Sequence, residues 1–450
     1  MKGFAMLDLT PQQILQELDQ YVVGQADAKR SLATAFRERQ RRLKLPPEVR
    51  QEIGPRNIIL IGPTGCGKTE LARRLAGLAE APFVKAEATK FTEVGYVGRD
   101  VESIVRELAD IGVSMVHKER MGVVSEAAEE AATERLLNYL VEPLQEEEAS
   151  VAKARAATNR RRRTMKRKLT RRELDDHVIE IELDSDESYG TVLEFGGSMG
   201  ADEMRDQFQE FMHDVQRKRT RRLPVREARR ILRDQEASKL IDLEEVVETG
   251  LRRVEESGVV FLDELDKLVG RAGDYGPDVS GEGVQRDLLP IVEGGVVATK
   301  YGPVHTDHVL FIAAGAFNRA RPSDLLPELQ GRFPIRVEVQ DLDQAAMVRI
   351  LTEPRNAMVQ QWKELLATED VTLEFSEDGI QAIAGCAVAL NERADNLGAR
   401  RLFGVMDKVL ADVSFNANEL AGQEIRIDSA YVDERMASVP LDDRATRYIL

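Results

Sequence analysis

The chain has 450 residues, of which 42% are apolar and 32% charged, and its formal net charge at pH 7 is −16. This length suffices for roughly two to four domains with substantial cores. The negative charge argues against a protein that binds nucleic acid by bulk electrostatics. The two cysteines, Cys66 and Cys386, are too few for a disulfide framework or a cysteine-rich metal site. Because no apolar stretch could cross a bilayer and residues 1–9 do not form a signal peptide, we expect a cytoplasmic protein without a membrane partner.

The first predicted helix begins after Thr10, which can cap it, while Gln13 can close a capping box. An apolar turn containing Val23 follows, and a basic helix then runs from residue 26 to about residue 45. Its second half favours a solvated face rather than a nucleic-acid patch. The basic residues of that half are Arg37, Arg39, Arg41, Arg42 and Lys44.

A complete phosphate-binding motif, Gly-x-x-x-x-Gly-Lys-Thr, runs from Gly62 to Thr69. The apolar residues 58–61 before it predict a buried parallel strand, and those after it recur at helical spacing. Glycines in such a turn let backbone N–H groups surround phosphate oxygens, and the helix N-terminus adds a favourable field. Lys68 would neutralise the β- and γ-phosphates, and Thr69 would bind Mg²⁺. The motif therefore predicts a site for ATP and Mg²⁺.

A second strand is predicted at residues 82–85, and residues 91–100 form a loop in which Tyr96 and Val97 lie between two glycines. Glycines usually serve backbone geometry, which favours a tight turn around a half-buried tyrosine. The alternative is a loop that offers an aromatic side chain to a ligand.

The composition changes between residues 110 and 243, where Glu, Arg and Ala dominate and strand-like runs are few. This pattern predicts helical segments around a flexible middle. Residues 160–168 form a dense basic block that could bind nucleic acid. The block has no interleaved aromatic residues and acidic flanks, which favours a solvated run. We interpret residues 110–243 as a domain inserted into the nucleotide-binding domain.

A buried strand is predicted at residues 259–262, followed by Asp263 and Glu264. A strand that delivers two carboxylates at its carboxyl end is the usual partner of a phosphate loop. Asp263 would complete the Mg²⁺ shell, and Glu264 would orient and polarise the attacking water. A pair of surface acids is the alternative reading, but the sequence offers no other partner as well placed.

Beyond this strand, the sequence predicts a loop at 278–282, a helix at 285–293 and a buried strand at 309–314. Arg332 could form a surface ion pair, which is worth little, or it could reach the γ-phosphate of a neighbouring subunit. Residues from 335 onward predict a mostly helical domain, in which Arg400 opens a helix.

The chain ends in three apolar residues, Tyr448, Ile449 and Leu450, the last with a free carboxylate. Such an ending could fray, as most termini do. It could instead dock into a partner's pocket.

Together, these motifs resemble the AAA+ family in its Clp/Hsp100 branch. The resemblance is most specific in residues 62–70, 87–98, 259–267 and 322–336. It implies an α/β fold whose AAA+ P-loop nucleotide-binding domain is a parallel sheet flanked by helices. This domain is expected to be discontinuous and to be followed by a small α+β C-terminal domain. The implied boundaries are 1–109 with 244–334 for the nucleotide-binding domain, 110–243 for the mostly helical inserted domain and 335–450 for the C-terminal domain.

The resemblance also implies a function: a homohexameric ATPase ring that unfolds protein substrates and feeds them into a separate threonine peptidase. Glu264 and Arg332 match the family's catalytic residues, with Arg332 as an arginine finger. Tyr96 and Val97 match a substrate-binding pore loop, which reverses the preference for a tight turn. Tyr448, Ile449 and Leu450 match a tail that activates the peptidase. The residues that match nucleotide and Mg²⁺ contacts are Val23, Gly65, Cys66, Gly67, Lys68, Thr69, Glu70, Asp263, Glu328 and Arg400.

The sequence departs from the family pattern after the strand at 309–314, where a small apolar residue stands at a position that is often polar, so we assign no residue to that sensing role. A ClpX-like unfoldase for another peptidase is one alternative, but it would carry a four-cysteine zinc module. A nucleic-acid-acting AAA+ ATPase is another, which only the basic block supports. A nucleotide-gated adaptor without hydrolysis is a third, and Glu264 argues against it.

Overall fold

The structure is a computed structural model that describes residues 9–53, 56–92, 99–141, 151–183, 219–269, 281–393 and 396–437. Tyr96, Val97 and the three C-terminal residues therefore lie outside the described residues. The chain divides into two compact units. The first comprises Met1–Ile111, Arg253–Val297 and Pro303–Leu450, and the second comprises Gly112–Arg252 and Ala298–Gly302. The three-domain division expected from the sequence stays a prediction.

The helices and strands of the described residues are numbered in chain order. The helices are α1 Pro11–Asp19, α2 Ala26–Leu43, α3 Pro47–Glu52, α4 Lys68–Leu78, α5 Ser103–Leu140, α6 Val151–Thr170, α7 Val225–Leu240, α8 Leu243–Ser257, α9 Gly281–Glu293, α10 Pro327–Arg332, α11 Gln344–Thr352, α12 Met358–Ala367, α13 Glu377–Arg393, α14 Arg400–Phe415 and α15 Ser429–Met436. The strands are β1 Ile58–Ile61, β2 Phe83–Glu87, β3 Val178–Leu183, β4 Arg219–Pro224, β5 Val259–Asp263, β6 Val296–Thr299, β7 Gly302–His305, β8 Leu310–Gly315, β9 Ile335–Glu338, β10 Thr372–Phe375 and β11 Glu424–Ile427.

The first unit is built on a five-stranded parallel sheet in the order β2-β5-β8-β1-β9. Its three middle strands are almost fully buried, because helices cover both faces of such a sheet. The strands predicted around residues 58–61, 82–85, 259–262 and 309–314 are confirmed, and α1 carries the predicted capping box between Thr10 and Gln13.

The carboxyl ends of the sheet strands share one edge, which we call the carboxyl edge, and their amino ends form the amino edge. The register places Ile61 beside Gly315 and Glu87 beside Asp263. The turn after β1 and the carboxylates after β5 therefore both lie at the carboxyl edge. They flank β8, about 10 Å apart, which is twice the spacing of neighbouring strands.

The last part of the first unit has its own apolar cluster, formed by α11–α15 with the parallel pair β10 and β11. The buried face of α14 is lined at helical spacing by apolar side chains that are fully buried. They are Leu402, Val405, Met406, Val409 and Leu410. The α+β character expected for this region is thus present.

The second unit contains most of α5 with α6, α7, most of α8 and an antiparallel pair, β3 and β4. Strands were not expected here, because β4 is rich in arginine and has little β propensity. Glu180 lies opposite Arg222 across the pair, with 3.5 Å between their charged groups. Pairing of opposite charges across the two strands stabilises this antiparallel pair, which the sequence of either strand alone does not predict.

Two further expectations are corrected. The loop predicted at 278–282 is wrong at its end, because Gly281 and Glu282 already belong to α9. The solvated face predicted for the second half of α2 is wrong at Arg39 and Arg42, which are 5% and 3% exposed. In the described part of the chain, no helix is long and apolar enough to cross a membrane.

Candidate nucleotide-binding site

The phosphate-binding motif forms the turn between β1 and α4, as predicted. The Gly62 N–H donates to Gly315 O at 3.1 Å, which fixes the start of the turn against β8. Lys68 is 8% exposed, and its ammonium donates to the carbonyls of Gly62 at 2.5 Å and Pro63 at 2.6 Å. Thr69 follows in the first turn of α4 and is half-buried. The cation and the hydroxyl therefore stand at the N-terminus of a helix, where anions are favoured.

The segment before α14 docks directly on this turn. The Ala399 N–H donates to Gly65 O at 3.1 Å. Gly65 has a φ of +76°, and a Cβ at this position would lie 1.9 Å from Leu397 O. Gly398, with a φ of +55°, would place a Cβ 2.5 Å from Thr64 O. Two glycines thus permit a close backbone contact between the phosphate loop and the C-terminal region.

We expect Gly65→Ala to destabilise the protein by about 2 kcal/mol and to weaken nucleotide binding, since the new methyl group would displace the 396–399 segment. The matched control is Gly77→Ala on α4, where a Cβ meets nothing within 4 Å. That change should stabilise the protein by about 0.5 kcal/mol. Thermal unfolding and titration with a fluorescent nucleotide measure both effects. Equal stability of the two variants would show that the close contact is not formed.

The apolar turn between α1 and α2 lies beside the phosphate loop. A Cβ on Gly67 would lie 3.5 Å from Val22 Cγ1, and Val23 is itself 6% exposed. Buried Lys29 holds the turn, because its ammonium donates to Val22 O and to Asp19 Oδ1, both at 2.5 Å. Two adjacent valines can offer an apolar surface to a base.

Gln25 anchors the same turn to the segment after β9. Its amide side chain donates to Gln340 O at 2.8 Å and accepts from Gln340 N–H at 2.9 Å. Gln25 has a φ of +57° and stands immediately before α2. This paired contact fixes the backbone where the turn enters the helix.

Glu70 lies one residue beyond Thr69 and points toward two arginines of α4. Burial alone would raise its pKa, but hydrogen bonds from Arg73 and Arg74 outweigh this effect and lower the pKa below its usual value. The Arg74 guanidinium also lies 3.7 Å from the ring centroid of Tyr21. Through Arg74, Glu70 therefore joins α4 to Tyr21 of the apolar turn between α1 and α2.

Cys66 is buried within the loop, and its thiol donates to Pro63 O at 2.8 Å. Burial raises the pKa of the Cys66 thiol, against the lowering effect of the nearby Lys68. A thiol that stays protonated reacts poorly. Its contacts fit a small residue that closes the turn.

Asp263 and Glu264 stand at the carboxyl edge, at the end of β5. The Lys85 ammonium lies 3.1 Å from Asp263 Oδ2, and the Glu264 N–H donates to Asp263 Oδ1 at 3.1 Å. Glu264 has a φ of +60°, an uncommon conformation for a non-glycine residue. The Thr89 hydroxyl donates to Glu264 Oε2 at 3.2 Å and so orients that carboxylate.

Arg400 is exposed at the start of α14, immediately after the segment that docks on the phosphate loop. A hydrogen bond from Lys90 is the main cause that lowers the pKa of Glu87, and Lys85 and Arg400 contribute through their charges. Since Glu87 ends β2, Arg400 lies near the carboxyl edge. The charge of Arg400 is therefore at the same edge of the sheet as Lys68.

Glu328 and Arg332 lie at the amino edge instead. Both belong to α10, which ends three residues before β9 begins. The Asn57 side chain, just before β1, donates to Arg332 O at 3.1 Å and accepts from Phe311 N–H at 3.0 Å. The Arg332 side chain is half-exposed, and its Nε lies 3.0 Å from Glu293 Oε1. The length of a sheet strand of four to six residues, roughly 15 Å, separates Arg332 from the phosphate loop of its own chain.

The carboxyl edge fits a nucleotide with Mg²⁺. The glycines let the turn pack closely against Val339 and Leu397, and the turn combines backbone N–H groups, a cation and a hydroxyl. Among the residues that the structure describes, no cluster of three or more His, Cys, Asp or Glu side chains could hold a metal ion. A site formed by Thr69 and Asp263 agrees with the coordination preference of Mg²⁺, which usually binds one or two protein ligands together with waters and phosphate oxygens.

Comparisons with known proteins agree with this geometry. One family model, described as the ATPase family associated with various cellular activities (AAA), matches residues 58–183. Another, described as an AAA domain of the Cdc48 subfamily, matches residues 188–336. The ATP-dependent protease ATPase subunit HslU of Persephonella marina is 50% identical over 445 residues, covering 98% of this chain and 99% of the relative.

The HslU subunits of Thermoanaerobacter pseudethanolicus and Syntrophomonas wolfei are each 46% identical, and each match covers 99% of this chain and 100% of the relative. The chain belongs to the HslU family of AAA+ ATPases. The HslU family consists of ATPases that regulate a protease, so the chain is an ATPase and not the peptidase itself.

In this HslU-family chain, most of the predicted site residues lie together at the carboxyl edge. The two exceptions are Glu328 and Arg332, which lie on α10. Sequence reasoning missed several residues that support the site. Thr89 and Lys85 contact the two carboxylates, and Leu397 and Gly398 contact the loop. Lys85 lies in β2, Thr89 follows that strand, and Leu397 and Gly398 precede α14; these positions are the only signal the sequence carries. The residues gathered at the carboxyl edge are Val23, Gly65, Cys66, Gly67, Lys68, Thr69, Glu70, Asp263, Glu264 and Arg400.

Proposed function

We propose that this chain is an ATP-dependent protein unfoldase and translocase that works as a homohexameric ring. Its partner is an HslV-type threonine peptidase, and its cofactors are ATP and Mg²⁺. Unfolded or tagged proteins are its substrates, and the setting is the cytoplasm. The observation that carries the proposal is the division of the predicted site between two opposite edges of one sheet. Arg332 lies far from the phosphate loop of its own chain, which supports its proposed action on the nucleotide of a neighbouring subunit.

The chemistry at the carboxyl edge follows from the residues gathered there. Bound ATP supplies the γ-phosphoryl group that is transferred to water. Lys68 exchanges a loop carbonyl for phosphate oxygens, while Thr69 and Asp263 hold Mg²⁺, directly or through water. Glu264, oriented by Thr89, accepts the proton of the attacking water at its carboxylate.

Arg332 of the neighbouring subunit supplies positive charge as negative charge develops on the transferred group. Glu328, on the same helix, is proposed to lie near that neighbour's nucleotide. The Nε of Arg332 pairs with exposed Glu293 in the single chain, and this pair is weak enough to exchange. Hydrolysis in one subunit is thus coupled to the position of the next.

Arg400 and the 396–399 segment link the nucleotide to the C-terminal region. The segment donates from Ala399 N–H to Gly65 O, so a shift of the phosphate loop moves α14 with it. Loss of the γ-phosphate contacts would then turn the C-terminal domain against the nucleotide-binding domain. Residues 1–109 with 244–334, 110–243 and 335–450 are the proposed domains.

The proposed pore loop is held at its two ends. Phe91 and Arg99 form an isolated parallel bridge, and the Thr92 N–H donates to Arg99 O at 3.3 Å. Arg99 is also paired with Glu107 on α5 at 2.7 Å. Tyr96 and Val97 belong to the segment between these anchors. We propose that six Tyr96 rings grip a polypeptide by dispersion and area burial, which needs no particular sequence.

Activation of a purified HslV-type peptidase tests this function. With ATP, the full chain should raise cleavage of a small fluorogenic peptide strongly, whereas a chain lacking Tyr448, Ile449 and Leu450 should not. Tyr96→Ala should still activate peptide cleavage and hydrolyse ATP, but it should no longer support degradation of a folded substrate. The tail would then act by docking and Tyr96 by gripping.

The matched control for Tyr96→Ala is Tyr301→Phe, which lies in the second unit. It should retain both peptide cleavage and protein degradation. If neither the full chain nor the truncated chain activates the peptidase while ATPase activity is intact, the proposed partner is wrong. If Tyr96→Ala degrades the folded substrate normally, the proposed pore-loop role is wrong.

A further inference from the structure

The second half of α2 places two arginines inside the protein. Each guanidinium nitrogen of Arg39 makes a hydrogen bond: Nε, Nη1 and Nη2 donate to the carbonyls of Glu256 at 3.0 Å, Gly258 at 3.0 Å and His308 at 2.7 Å. These carbonyls precede β5 and β8. Arg39 therefore ties the amino ends of two central strands together, at the edge opposite the nucleotide site.

Arg42 is not satisfied in this way. Its Nε donates to Arg50 O at 3.1 Å, but Nη1 and Nη2 are buried and have no hydrogen-bond partner among the described residues. Two buried donors of a charged group without hydrogen-bond partners are costly in a folded protein, and Glu256 and Asp307 act on Arg42 only through their charges. Nearby His308 makes no hydrogen bond to these donors, because its Nδ1 is also buried without a partner among the described residues; burial and the charge of Arg42 lower the pKa of His308 to about 4.

A cavity of about 210 Å³ lies against Arg42. Its charged lining consists of four arginines and a single glutamate, so positive charge is in excess. The glutamate is engaged with an exposed arginine of the same lining, with 3.6 Å between their charged groups. The cavity is smaller than the roughly 300–1,000 Å³ of drug-sized ligand pockets, so it suits a small ion rather than a nucleotide. The charged lining residues are Glu38, Arg39, Arg41, Arg42 and Arg56.

We propose that this cavity at the amino edge binds inorganic phosphate, held by the guanidinium groups of Arg41, Arg42 and Arg56. A guanidinium presents its donors in a planar fork that matches two phosphate oxygens. A phosphate dianion supplies the acceptors that Arg42 lacks and balances the excess charge of the lining. The site is separate from the phosphate loop, which lies at the carboxyl edge of the same sheet.

Isothermal titration of inorganic phosphate into the full chain tests the proposal. The nucleotide site is first filled with Mg²⁺ and a non-hydrolysable ATP analogue, and the reference titration uses chloride at equal ionic strength. We expect one phosphate per chain for the wild type. Arg42→Gln should weaken binding about tenfold or more, since it removes charged hydrogen bonds.

Because Arg42→Gln could fail to fold, the double variant Arg41→Gln/Arg56→Gln removes two exposed lining arginines instead. It too should weaken binding about tenfold, whereas Arg30→Gln, an exposed control on the same helix, should leave affinity unchanged. The absence of phosphate binding by the wild type would overturn the proposal. Equal affinity of the double variant and the wild type would also overturn it, because binding would then lie elsewhere.

Discussion

Arg332→Ala is expected to lower the rate of ATP hydrolysis by about 10³-fold while nucleotide affinity changes little. The reason is the position of the residue at the amino edge, away from the nucleotide of its own chain. Its guanidinium touches only the exposed Glu293 carboxylate at 3.0 Å among the described ion pairs, so its loss should cost little stability. Steady-state hydrolysis and titration with a fluorescent nucleotide separate the two effects.

The matched control is Arg336→Ala on β9, four residues along the chain. Arg336 is also exposed, and among the hydrogen bonds of the described residues its side chain donates only to the Gln330 side chain, at 3.2 Å. This control should hydrolyse ATP at nearly the wild-type rate. Near-normal hydrolysis by Arg332→Ala itself would show that the finger role is misassigned.

Glu264→Gln is expected to reduce hydrolysis about 10²- to 10⁴-fold, since the amide cannot accept a proton from water. The change preserves shape, and the amide oxygen can still accept the Thr89 hydroxyl that now lies 3.2 Å from Glu264 Oε2. ATP should therefore bind and remain bound. A rapid-quench measurement of the first turnover tests the chemical step directly.

An exposed glutamate on α9 provides the control for this substitution. Glu282 pairs with Arg286 one turn later, at a surface position 18 residues after Glu264. Glu282→Gln should leave turnover unchanged. If Glu264→Gln retained hydrolysis, another group would have to be the general base.

The sequence was sufficient for the central sheet and the phosphate loop. Strands that are buried on both faces have continuous apolar sequences, as at Ile58–Ile61 and Val259–Asp263. They can therefore be recognised without knowing which strands pair with them. The phosphate loop is local, because one glycine-rich turn contains the donors, the lysine and the threonine. The capping box of α1 is local for the same reason.

The features that the sequence did not predict depend on contacts between distant segments. Arg39 is buried because carbonyls more than 200 residues away accept its donors, which helical periodicity cannot reveal. Thr89 reaches Glu264 across a similar gap. The contact of Gly398 with Thr64 joins the two ends of the first unit. In each case, the deciding partner is set by the fold and not by neighbouring residues.

The most direct test of the shared active site is a mixture of the two variants. Arg332→Ala subunits keep an intact carboxyl edge, and Glu264→Gln subunits keep an intact arginine. If the arginine acts on a neighbour, rings assembled from equal amounts should recover about one quarter of the wild-type hydrolysis rate, because about one interface in four combines both intact halves. A mixture no more active than the two variants measured separately would contradict the account and place the arginine in its own subunit's site.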